Sequence, residues 1–158
     1  MQLWCKNREE SIAECRQAIA IDPNNAEAQL FLSIVLSFAG LGEEALYYIE
    51  KSKRLTPTSS PFHEMAEGDC YNAQYDYPKT IAAYERGCVM NPNFIPCRFF
   101  AILSYEHLGM EDEVRNKFQI LHKMTGDAKN QPAVTPWTDQ VLATLQEKLW
   151  QQIISRHT

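Results

Sequence analysis

Glycine is scarce in this sequence, with six in 158 residues, and that scarcity removes a class of chemistry. Loops that cradle phosphate need clustered glycines, and neither G-x-G-x-x-G nor G-K-[ST] occurs. The G-x-S-x-G turn that presents a nucleophilic serine is also missing. His63, His107, His122 and His157 lie scattered, without H-E-x-x-H. The five cysteines form no C-x-x-C pair and have no histidine in ligand register, so neither a metal nor another cofactor is expected. Their odd number, with Cys15, Cys70 and Cys88 inside helical patterns, reads as small buried hydrophobes in a reducing compartment.

Positive charge is short as well. Fifteen Lys and Arg against twenty Asp and Glu give a formal charge of -5, which argues against nucleic acid or an anionic membrane as the partner. Lys51, Lys53 and Arg54 cluster beside Glu50 and read as a solvated face. The most hydrophobic run, Leu30 to Leu41, is too short to span a bilayer. Met1 to Asn7 has neither the basic start nor the apolar core of a secretory leader. A cytoplasmic chain without membrane contact is the expectation.

What the sequence does contain is a period. Pro23 and Pro57 are 34 residues apart, Pro57 and Pro92 are 35 apart, and the next step lands on Gly126. Leu36, Tyr71 and Tyr105 recur at this spacing, as do Cys15, Ile49, Tyr84 and Phe118. Ala18, Ser52 and Gly87 recur as a small residue three positions later, and Ile21, Leu55, Met90 and Met124 recur just before each stop. Gly40 and Gly109 stand two periods apart, where a helix must turn back and glycine tolerates positive φ. Each period holds two helices, and such a hairpin buries both apolar faces only against copies of itself.

This pattern resembles the tetratricopeptide repeat over roughly residues 8 to 126. The matching residues are Ser33, Ala45, Ile49, Ser52 and Pro57 in one unit, and Gly68, Tyr71, Tyr84, Gly87 and Pro92 in the next. In a narrower way, Arg54-Leu55-Thr56-Pro57, the run Ile81 to Arg86, and Asn91-Pro92-Asn93-Phe94 resemble the repeat tails of bacterial class III nucleotide cyclases and related regulators. Thr80 and Val114 depart from the usual alanine, and Ile102 from a small residue. The resemblance implies an all-α, right-handed solenoid of antiparallel helix pairs, one domain over 1–158. A partial repeat (1–23) precedes full repeats at 26–57, 61–92 and 95–126.

Residues 1–7 fit only the tail of a first helix, so the array is expected to begin mid-repeat, as in a fragment of a longer protein. After Met124 the period breaks in a loop rich in Gly, Asp, Asn and Pro. Thr135-Pro136 then starts a capping helix expected over 136–155. Its stripe of Trp137, Val141, Leu142, Leu145, Leu149 and Ile153 covers the open end of the last repeat. Trp150 and Ile154 fall beyond that stripe and are a candidate second interface.

In relatives the first helix of each pair lines a concave surface where ligands lie. By position that lining is Leu30, Ile34, Ser37 and Phe38; then Phe62, Met65, Asp69, Asn72 and Ala73; then Phe99, Leu103, Glu106 and His107. An apolar wall with few acids suits a partner helix or an extended peptide bearing basic groups; the chain's own terminal helix is the rival occupant. Asp69 and Glu106 are the nearest approach to a catalytic acid pair, but an open groove would not shift their pKa values, and no catalysis is expected. Glu67 stands in a column that holds Leu32 and Ala101 elsewhere, and is expected to snorkel or to pair with a cation such as Lys79. The expected function is recognition of a protein or peptide. The alternative is a structural, homodimerising or intramolecular regulatory module.

Overall fold

The structure is a computed structural model and describes residues 8–125 and 140–157. Seven helices run in sequence: α1 (Arg8–Ile21), α2 (Ala26–Phe38), α3 (Gly42–Leu55), α4 (Pro61–Asn72), α5 (Tyr77–Met90), α6 (Ile95–His107) and α7 (Glu111–Thr125). An eighth, α8 (Gln140–His157), follows, and the described residues contain no strand. The expected start of the capping helix at Pro136 lies outside the described residues. No helix among the described residues is long and apolar enough to cross a membrane.

Local chemistry explains where the helices start and stop. The Asn25 side chain accepts a hydrogen bond from the Ala28 N–H at 2.9 Å, and the Asp76 side chain does the same for Lys79 at 3.3 Å. At α4, Pro61 occupies the first turn while the Ser60 N–H donates to His63 Nδ1 at 3.3 Å. Each hairpin turn closes in one way. Leu41 N–H bonds to the Leu36 carbonyl at 2.9 Å, and Asp76 to Tyr71 and Met110 to Tyr105 each at 3.1 Å. The residue inside each closure has positive φ: Gly40 at 77°, Gly109 at 67° and, without a glycine, Tyr75 at 59°.

The recurring columns are the packing contacts. Leu32, Leu36, Ala45 and Ile49 are fully buried and knit α2 to α3; each large one contributes about 1.5–3 kcal/mol. Between α4 and α5 the contact is a glycine under an aromatic ring, for a Cβ on Gly68 would stand 2.4 Å from Tyr84 Cε1. Between α5 and α6, a Cβ on Gly87 would meet Cys97 Sγ at 2.4 Å. Such distances allow nothing larger than hydrogen. Cys15, Cys70, Cys88 and Cys97 are buried free thiols, in line with the role read for the first three.

Candidate protein-interaction surface

The structure divides the expected lining into covered and open residues. Leu30, Ile34, Ser37, Met65, Asp69, Phe99 and Leu103 are buried. Phe38, Phe62, Ala73 and Glu106 are half-buried, and Asn72 and His107 are exposed. The cause is that first helices of successive repeats pack on each other, α2 on α4 and α4 on α6. A first helix therefore spends much of its expected concave face on the seam with its neighbour. That seam, not a partner, covers Leu30, Ile34 and Met65.

The far end of the row is covered by α8, which packs on α6 and α7. Trp150 is 1 % exposed, with its ring 4.8 Å from Phe99 and 5.5 Å from Phe118 between centroids. Ile153 and Ile154 are buried beside it. The expectation of Trp150 and Ile154 as an outer interface is therefore corrected: both belong to the core. A helix lying across two others buries a broader face than a single stripe. Trp137, Val141, Leu142 and Leu145 lie outside the residues whose side chains are described. Arg156 of α8 also pairs with Glu106 and reaches Glu111 at 4.0 Å, so Glu106 meets the chain's own cation. His107 stacks on Tyr77, with ring centroids 5.2 Å apart.

Asp69 is not an edge acid either. The Tyr84 hydroxyl donates to its Oδ1 at 2.6 Å, while Oδ2 is buried without a partner. Burial pushes its carboxyl up to about 7, against the smaller opposing effect of the Tyr84 hydrogen bond. Glu67 is paired with cations as expected, though not with Lys79. Its Oε2 meets Lys53 Nζ at 3.0 Å and also Arg86, whereas Lys79 pairs with Asp76 at 2.7 Å. Lys53 and Arg86 also bind Glu64, each at 2.8 Å, and Ser59 Oγ donates to Glu64 Oε1 at 3.1 Å. Burial alone would raise the Glu64 carboxyl, but the two cations outweigh it and hold it below its usual range. This network pins α3, α4 and α5 together.

Sequence reasoning missed one open feature. A cleft of about 280 Å³ lies between α1 and α2, lined by Cys15, Ala18, Ala28 and Phe31, with Glu14, Asn25 and Glu27 also in its wall. Phe31 is the next residue after Leu30, so a shift of one position along α2 moves the lining from the seam to this opening. No group of His, Cys, Asp and Glu among the described residues could hold a metal ion.

No protein-family model matches the sequence, and no curated protein matches it significantly. Solved structures do. MamA is 18% identical over 94% of this chain and 88% of its own, with a TM-score of 0.65. YrrB, described as a TPR protein with an unusual peptide-binding site, is 17% identical over 95% of this chain and 79% of its own, at 0.60. TTC0263 of Thermus thermophilus, a thermophilic TPR protein, is 16% identical over 95% of this chain and 81% of its own, at 0.68. None of the three is described as a nucleotide cyclase, so the narrower resemblance finds no support in them. Identities this low speak to architecture alone, and with the helix pairs, the shared turn and the recurring columns they establish that the chain folds as a tetratricopeptide-repeat solenoid.

Proposed function

We propose that this chain is a non-catalytic protein-interaction module that takes a peptide or short helix of a partner in the concave groove that includes the α1–α2 cleft. The observation that carries this is the apolar α1–α2 cleft with Phe31 in its wall, on the same helix as half-buried Phe38 and next to the helix that carries half-buried Phe62 and exposed Asn72. Aromatic side chains in a concave setting anchor a partner by area, and an amide fixes its backbone. Glu14 and Glu27 are exposed beside the cleft, and with the net charge of -5 they favour a partner bearing basic residues. The peptide-binding site named for YrrB supports the reading that this architecture accommodates such a ligand. Leu30, Ile34, Met65, Phe99 and Leu103 act as the wall's support and not as contacts.

A displayed library of random peptides tests this. Peptides enriched by the wild type should be basic and should lose at least tenfold in affinity for Phe31→Asp or Phe38→Asp proteins that melt normally. Equal binding by these variants, or no enrichment, would remove the reading. The second reading, a structural or oligomerising module of a larger protein, draws on Ile21 and Val89, 79% and 80% exposed. Light scattering after size exclusion separates the two: a monomer at all concentrations counts against self-assembly.

A further inference from the structure

Ile34, Asp69 and Leu103 hold equivalent places on α2, α4 and α6, one period apart. Two of the three are aliphatic and buried, so the fold itself does not require a carboxyl there. The ionisable groups facing Asp69 are Tyr84 from α5, Cys97 from α6, and Cys70 on its own helix. The only ionisable residue of α2, Glu27, is exposed in the first turn. Cations nearby are already engaged: Lys53 and Arg86 with Glu64 and Glu67, and Lys79 with Asp76. The carboxyl thus has one hydrogen bond, one orphaned oxygen and no positive charge to compensate it.

We infer that Asp69 is a proton-sensitive joint, which holds α4 and α5 together when protonated and loosens them when ionised. Its folded-state value near 7 lies above the ordinary 3.8, so its stabilisation is full below about pH 4 and is lost as pH rises through 7. Between pH 6 and pH 8 this one group lowers the folding equilibrium constant about tenfold. His63 works in the opposite sense. Burial first, then the Lys53 charge, hold its ring below the ordinary value, so its contribution is lost as pH falls.

Urea unfolding of the whole chain at pH 6 and pH 8 tests the joint against Asp69→Asn, which retains an acceptor for Tyr84, and Asp69→Leu, which copies the fourth repeat. His63 is common to all three, so its effect cancels in the comparison. The wild type should lose about tenfold more in folding constant over this interval than either variant. Equal losses in all three proteins overturn the inference. If neither variant folds, carbon NMR titration of the Asp69 carboxyl in the wild type decides. A midpoint between pH 6 and 8 upholds the joint, and one below that interval overturns it. Tyr84→Phe should move that midpoint upward, because the lost hydrogen bond favours the charged form.

Discussion

The second and third repeats share a backbone and little else. In register, Leu32, Ser33 and Ile34 of α2 have Glu67, Gly68 and Asp69 of α4 as counterparts, and Ala45, Ile49 and Ser52 of α3 match Thr80, Tyr84 and Gly87 of α5. The second repeat is held by aliphatic burial. The third is held by a tyrosine over a glycine, a buried carboxyl and a four-charge network that takes Lys53 from the second. The solenoid period therefore fixes geometry without fixing chemistry. The third repeat also relies on interactions that fail when a single partner is removed, because an unpaired buried polar group costs more than its hydrogen bond contributes.

Three substitutions break or sharpen this contrast. Gly68→Leu should be the most damaging, by about 3 kcal/mol or more, since the Tyr84 ring is itself fully buried and has nowhere to go; thermal melts by circular dichroism would show it. Lys53→Met comes next. It leaves Glu64 and Glu67 with Arg86 alone and should cost about 1–2 kcal/mol at pH 7, less than a fully buried pair because Lys53 is partly solvated. The Glu64 carboxyl is depressed in the fold, so its contribution is present above pH 4.5 and lost as pH falls through its folded-state value. Lys53→Met should flatten that acid limb in urea titrations. Smallest is Tyr75→Gly, which gives the third turn the residue its two counterparts use. Relief of the left-handed strain, less the added entropy of the unfolded chain, should raise stability by about 0.5 kcal/mol, visible as a higher urea midpoint.

The sequence made the helices legible because their punctuation is local: Asn25, Pro61, Gly40 and Gly109 act on adjacent backbone. The columns were legible because a period exposes them. Which face of a first helix is spent on its neighbour was not, since Leu30 and Phe31 differ by one position and only the crossing of helices sorts them. Glu67 illustrates a second limit. Lys79 is closer in the chain than Lys53, yet Lys53 comes from the last turn of α3 and arrives beside Glu67 through the stacking of α3 on α4. The burial of Trp150 was not legible for a similar reason, as one helix resting on two presents more than one stripe.

The four buried thiols lie on four helices, Cys15 on α1, Cys70 on α4, Cys88 on α5 and Cys97 on α6. Sulfhydryl reagents reach each only when its own stretch of the stack comes apart, and burial keeps every one of them mainly in its unreactive protonated form. The chain thus carries native reporters along its length, and their alkylation rates would time the breathing of the solenoid helix by helix without any introduced label.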